Sequence, residues 1–202
     1  MGMPLALLSL DDRTLAYHEL RQDPAFPYLK HELYADYIDR SLAIGRAAAA
    51  AYSGHDPSEL AKHLGVRIVY REAQLEIGGL SVHAEYDAGT RTITLCSHSM
   101  ARMQAVLDDL QLRESLTTNN QQPTTALALH IAHELFHHIE ETLIGRTDEQ
   151  LPVVTAGRVG NLKWGVRRVQ RCREIAAHSF AKALTGLPFL PNALDWLARF
   201  VR

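Results

Sequence analysis

The segment His133-Glu134-Leu135-Phe136-His137 carries two histidines and a glutamate at a spacing suited to metal chemistry. Residues four apart lie one above the other on a helix, so both imidazoles can bind one tetrahedral zinc ion. Glu134 then points beside the metal and can accept a proton from zinc-bound water. Two core histidines satisfied by other polar groups are the alternative interpretation. We predict Zn²⁺ as the cofactor, His133 and His137 as ligands, and Glu134 as the general base.

A third zinc ligand must come from elsewhere in the chain. A metzincin would have Gly and His where this sequence has Glu140 and Leu143, so that pattern is excluded. Glu174 is the favoured third ligand because it lies on the next strongly predicted helix, where small residues allow two helices to approach closely. A helix-borne carboxylate after HExxH is the gluzincin arrangement. The alternative is an exposed Glu174 that pairs with Arg171 or Arg173.

Three further histidines lie near these residues in the sequence. His130 is seven residues from His137, about 10 Å along a helix axis, which is too far to share one ion. His138 is rotated by about 100° from His137. We therefore expect His130 and His138 to be helix-surface residues or neighbours of the ligands. His178 shares the helix face of Glu174, where it could orient a ligand, stabilise an oxyanion or bind the metal.

The two motifs together resemble the ImmA/IrrE family of zinc metallopeptidases. That family carries HExxH on one helix and an ExxAxxFAxxLL-like sequence on a later one. This chain has EIAAHSFAKAL over Glu174–Leu184, followed by Pro188. The order of elements before HExxH is also similar, including a hairpin turn over Tyr86–Thr94. The resemblance covers about residues 30 to 190.

The resemblance implies a compact zincin or gluzincin-like α+β domain, with helices packed on a small three-stranded sheet. The pattern of the predicted strands favours a mainly antiparallel sheet. It implies a zinc-dependent metallo-endopeptidase with His133, His137 and Glu174 as ligands and Glu134 as general base. It also implies a specific protein or peptide substrate, such as a DNA-binding transcriptional repressor. The segment 145–165 is long for the family, so we expect it to be an elaboration over the site.

Two other functions are compatible with the same residues. One is a zinc-containing regulatory protein that binds a partner without peptidase activity. The other is a structural zinc site, which usually has four protein ligands, and His178 is the residue that could close it.

The elements that position these residues follow from the period of the apolar side chains. This period predicts helices at 31–52, from Asp56 to Gly65, and at 100–112, 124–143, 166–185 and 192–201. It predicts three strands and no more, at 67–70, 80–86 and 91–96. Prolines interrupt residues 1–30, which we expect to form a loosely structured N-terminal arm. Residues 31–202 are then a single metallopeptidase domain.

The composition excludes several classes of protein. The 202 residues include 47% apolar side chains, enough to bury a core, and the net charge is −2. The absence of a basic excess argues against direct nucleic-acid binding. Two cysteines cannot form a disulfide scaffold. The apolar N-terminus has no basic region typical of a secretory signal, and no apolar run reaches the ~20 residues of a membrane span, so we expect a cytoplasmic protein.

Overall fold

The computed structural model describes residues 9–72, 75–77, 80–82, 84–112, 125–159 and 162–198. Within these ranges the chain forms seven α-helices: α1 (Asp12–Leu20), α2 (Tyr34–Ala50), α3 (Pro57–His63), α4 (Ser97–Leu112), α5 (Ala126–Ile139), α6 (Arg171–Thr185) and α7 (Asn192–Ala198). It also forms seven strands: β1 (Arg67–Arg71), β2 (Leu75–Ile77), β3 (Leu80–Val82), β4 (Ala84–Asp87), β5 (Thr92–Cys96), β6 (Val154–Val159) and β7 (Leu162–Arg167). The predicted combination of helices with a small three-stranded sheet is confirmed.

β5 is the central strand of a sheet with the order β1-β5-β4. β4 and β5 pair antiparallel because a tight turn joins them, in which Asp87 accepts hydrogen bonds from the backbone N–H of Gly89 and the hydroxyl of Thr90. β1 pairs with the other side of β5 in parallel, with Arg67 opposite Thr92. The sheet is therefore mixed, and the prediction of a mainly antiparallel sheet is wrong. The apolar period locates each strand but does not determine which neighbour it joins.

Two pairs of strands lie outside this sheet, so the prediction of three strands and no more is wrong. β2 pairs antiparallel with β3, and β6 pairs antiparallel with β7. The β6–β7 hairpin occupies part of the predicted loop 145–165 and delays the start of the next helix to Arg171. The glycines of this segment suggest a loop. However, Gly157 lies opposite Trp164, and a larger side chain there would overlap the indole ring.

Residues 9–30 pack onto the rest of the protein, so the prediction of a loosely structured arm is wrong for this part. Asp11 caps α1 by accepting a hydrogen bond from a backbone N–H of the first turn. Leu15 and Leu20 are fully buried in a core cluster that also includes residues of α2, α4 and α7. The prolines at the end of this segment follow α1 and do not prevent it. Residues 1–8 lie outside the described part.

The helix predicted at 124–143 is confirmed, and it carries the HExxH motif. Thr125 caps it by accepting a hydrogen bond from the N–H of Ala128. α5 then runs to Ile139 and continues as one π-helical turn over Glu140–Ile144. α5, α6, α2 and β5 enclose a second core cluster, which lies directly under the motif.

The other predicted helices are also found, and residues 199–201 of the last one lie outside the described part of the chain. A 3₁₀ turn precedes α2, and together they cover most of the predicted helix at 31–52. Asp56 caps α3 by accepting hydrogen bonds from the backbone N–H groups of Ser58 and Glu59, as expected. Among the described helices, none combines the length and apolar character needed to cross a bilayer.

Candidate metal centre

His133 and His137 lie one turn apart on α5, with their ring centroids 5.1 Å apart. Their side chains keep 15% and 14% of their exposure, so solvent reaches both rings although most of α5 is buried. Leu135 and Phe136, between them in sequence, are fully buried in the core beneath. This burial fixes the rotation of α5 about its axis. The two histidines are thereby held at the surface of a cleft.

Glu174 lies in the first turn of α6 and faces both histidines. Its Oε2 atom is 3.2 Å from Nε2 of His133, and its Oε1 atom is 3.7 Å from Nε2 of His137. Ala177 and Ala181 of α6 are fully buried in the core that α6 shares with α5. The structure thus brings together the three side chains that the sequence analysis predicts as metal ligands.

The spacing and chemistry of these three side chains fit a zinc ion. Their donor atoms all lie within 4.8 Å of one another, and no second group of this kind occurs in the part of the chain that the structure describes. Tetrahedral zinc with bonds of about 2.0–2.2 Å holds neighbouring donors about 3.4 Å apart. Two imidazoles with one carboxylate are also a donor set used by catalytic zinc, which keeps a fourth position open.

Mutual attraction keeps Glu174 and His133 charged. Burial alone would raise the pKa of Glu174, but its hydrogen bond to His133 and the charges of His137 and His133 lower it well below its usual range. Burial alone would lower the pKa of His133, but the hydrogen bond to Glu174 and the charge of Glu134 raise it to about 9. A metal ion that binds here therefore competes with a proton for Nε2 of His133.

A cleft of about 380 Å³ opens beside these side chains, and residues of β4, α5 and α6 line it. Glu134 is one of them. Burial raises the pKa of Glu134, while the positive charges of His133 and His137 act in the opposite direction. The backbone of Tyr86 in β4 also contributes to lowering the pKa of this carboxylate. Glu134 therefore shares one cleft with all three of the predicted ligands.

His178 lies beside this cluster but does not belong to the group of three close donors. Its ring centroid is 4.7 Å from that of His133, and its Nδ1 atom is buried with no hydrogen-bond partner. Burial and the charge of His133 lower the pKa of His178 well below its usual value, so this imidazole is neutral. A role for His178 in orienting a ligand or stabilising an oxyanion stays a prediction.

The structure also decides two alternatives from the sequence analysis. Arg171 pairs with Glu19 and Arg173 pairs with Glu140, each at 2.7 Å, so the interpretation of Glu174 as an exposed partner of these arginines is wrong. Of the two positions expected for His138, the helix surface or the neighbourhood of the ligands, the structure excludes the surface. This residue is buried, and its Nδ1 atom lies 2.7 Å from a tyrosine hydroxyl of β4.

Glu140 contacts the site directly, although it is not among the residues predicted for the site from the sequence. The Nδ1 atom of His137 lies 2.9 Å from Oε1 of Glu140, whose side chain is fully buried. The spacing of three residues on a helix is a signal for such a contact. It is a weak signal, because the burial of Glu140 depends on Thr147 and Arg173, which come from later segments.

Comparison of the chain with protein-family models, with curated proteins and with solved structures finds no match. The resemblance to the ImmA/IrrE family therefore stays a prediction that rests on its two motifs. The geometry of His133, His137 and Glu174 supports a metal site independently of that resemblance.

Proposed function

We propose that this protein is a zinc-dependent metallo-endopeptidase of the gluzincin type. The observation that carries the proposal is the convergence of His133, His137 and Glu174 at one cleft that Glu134 also lines. Zinc bound to these three side chains would supply Lewis acidity toward a scissile carbonyl group. The partly exposed rings and the cleft beside them favour a catalytic site over a closed structural one.

Glu134 is the residue that handles protons in this proposal. Its carboxylate accepts a proton from the attacking water molecule and donates it to the nitrogen of the leaving amine. The peptide bond and water are thus converted to a carboxylate and a protonated amine, and the carboxylate of Glu134 is restored. The position of Glu134 supports this role, because it lines the cleft together with the three predicted ligands.

The substrate in this proposal binds as an extended peptide along β4. β4 is an outer strand of the three-stranded sheet, and Ala84, Glu85 and Tyr86 of β4 line the cleft. An extended peptide can add to such a strand through backbone hydrogen bonds. A flexible segment of a specific protein partner, such as a transcriptional repressor, has the required conformation.

The test separates metal binding from peptide cleavage. Three proteins are loaded with zinc and incubated with a proteome-derived peptide library: the wild type, Glu134→Gln, and the control Glu59→Gln, which changes an exposed residue of α3. New peptide termini are then detected by mass spectrometry. We expect all three proteins to hold zinc, and Glu134→Gln to lose at least 10²-fold in cleavage rate while Glu59→Gln matches wild type.

Two results would contradict the proposal. Wild type that binds no zinc would overturn the metal centre itself. Wild type that binds zinc but cleaves no peptide, or a Glu134→Gln variant that cleaves like wild type, would overturn the catalytic role. Zinc binding without cleavage would instead support the alternative of a regulatory protein that binds its partner without cutting it.

A further inference from the structure

Glu140 is a fully buried carboxylate three residues after the second histidine of HExxH. It is not one of the three close donors, and the mechanism proposed above does not use it. A buried charge requires partners that compensate for its loss of hydration. The residues that bond to Glu140, and their positions relative to the metal ligands, indicate a role for Glu140 at the metal centre.

The first partner is the imidazole of His137. Its Nδ1 atom lies 2.9 Å from Oε1 of Glu140. An ionised carboxylate can only accept hydrogen bonds, so Nδ1 must carry the proton. In a neutral imidazole, Nε2 is then left with a free lone pair. Nε2 is the atom that faces Glu174, at 3.7 Å from Oε1. Glu140 thus selects the tautomer in which His137 can bind a metal at this cleft.

The other partners fix Glu140 itself. The backbone N–H of Thr147 donates to Oε2 at 3.0 Å, and Nε of Arg173 donates to Oε1 at 2.7 Å. Both carboxylate oxygens are therefore held, and the side chain has no freedom to turn away from His137. The π-helical turn that begins at Glu140 leads directly to the segment that supplies Thr147.

Arg173 extends this arrangement to the helix of the third ligand. It precedes Glu174 on α6, and it bonds to Glu140 at the end of α5. The ion pair therefore connects the two helices beside the point where their ligands meet. Its position orients the ring of His137 relative to the carboxylate of Glu174.

We propose that Glu140 is a positioning residue of the metal centre, which holds His137 with Nδ1 protonated and Nε2 directed at the metal. The proposal rests on the metal site proposed above and adds a residue to it. Carboxylates that accept the second N–H of a ligating histidine orient the ring and increase its basicity, and their loss commonly costs 10–100-fold in metal affinity.

The test compares Glu140→Gln with Glu141→Gln. Glu141 is the matched control because it is the next residue and also bonds to Arg173, at 2.7 Å. In the part of the chain that the structure describes, no hydrogen bond or ion pair joins Glu141 to His137. The dissociation constant for zinc is measured by chelator competition, and the thermal stability of the metal-free proteins is measured in parallel. We expect Glu140→Gln to bind zinc about 10–100-fold more weakly and Glu141→Gln to stay within about twofold of wild type.

A purely structural role for Glu140 gives a different result. Glu140→Gln would then lower the stability of the metal-free protein while its folded fraction binds zinc like wild type, and this outcome would overturn the proposal. Wild type that binds no zinc would overturn the proposed metal centre instead. Zinc binding without peptide cleavage would leave the positioning role intact, because affinity is the measured quantity.

A second measurement needs no variant at position 140. ¹⁵N-edited NMR of the zinc-loaded wild type reports which imidazole nitrogen of His137 carries the proton, and the signal is assigned by its loss in His137→Gln. We expect protonation at Nδ1 with a hydrogen bond to Glu140. A proton at Nε2 would overturn the proposal even if Glu140→Gln does not fold.

Discussion

Asp23 is a buried carboxylate that stabilises the start of the helix carrying Glu174. The residue is 4% exposed, and its two oxygens accept hydrogen bonds from the backbone N–H groups of Arg171 and Ala25, both at 2.7 Å. Gln170, at the N-cap position of α6, provides no side-chain hydrogen bond. Because the first N–H groups of a helix lack partners within it, Asp23 acts as a cap supplied from a distant segment.

We expect Asp23→Ala to lower the free energy of unfolding by about 2 kcal/mol, because one buried and one partly buried N–H group lose their acceptor. Urea denaturation measures this change. Glu149→Ala is the control, since Glu149 is exposed and its nearest contact with Arg168 is 3.9 Å, and it should change stability by less than about 0.5 kcal/mol. An Asp23→Ala protein with the urea midpoint of wild type would show that α6 does not need this cap.

The contrast between Glu174 and Asp23 shows which residues can be found from the sequence. His133 and His137 are predictable because helix geometry alone places residues four apart on one face. Glu174 is predictable because a second helix with small residues can bring a carboxylate to them. Asp23 and Glu140 are not, because their hydrogen bonds depend on segments whose packing no local pattern specifies.

At the scale of elements, α2 and α6 approach each other closely at Gly45. A Cβ atom at this position would overlap the backbone oxygen of Ala176 and lie 2.8 Å from Cβ of Ser179. Ser179 also donates a hydrogen bond from its hydroxyl to the backbone oxygen of Leu42, at 2.8 Å. The absence of a side chain at Gly45 therefore allows α2 to pack closely against α6 in the turns that follow Glu174.

We expect Gly45→Ala to destabilise the protein although alanine favours helices. The steric cost of overpacking is about 1–3 kcal/mol in the free energy of unfolding. We expect a value near the upper end of this range, because the added methyl group would meet backbone atoms. The gain in helix propensity is about 1 kcal/mol. Urea denaturation should therefore show a net loss, whereas Ala47→Leu, on the exposed side of the same helix, should stay within about 0.5 kcal/mol of wild type. A Gly45→Ala variant as stable as wild type would contradict this close packing.

Elements whose apolar side chains recur at a regular spacing could be predicted from the sequence. Elements that depend on pairing with another strand could not. α5 and α3 have apolar periods and capping residues within their own sequences. The β6–β7 hairpin has neither signal, since its glycines indicate a loop and its pairing depends on Trp164 covering Gly157. For the same reason the sequence located β1 but not its parallel partner.

At the scale of the whole molecule, the proposed metal centre joins two helices that are far apart in sequence. α5 supplies His133 and His137, α6 supplies Glu174, and both helices rest on one shared core cluster. A ligand that binds only the folded protein increases the free energy of unfolding. At high ligand concentration this increase is proportional to the logarithm of the ratio of the ligand concentration to the dissociation constant. Zinc should therefore act on the stability of the whole fold as well as on the site.

We expect chelation of the metal to lower the melting temperature of the wild type by about 5–10 °C, and added zinc to restore it. Saturation at 100 times the dissociation constant contributes about 2.7 kcal/mol, and a chain of this length gains about 2–4 °C per kcal/mol. Calorimetry with and without a chelator measures the shift. His137→Ala is the control, because its melting temperature should respond to neither treatment. A wild-type melting temperature that does not respond to zinc would mean that these three side chains do not bind it in the folded state.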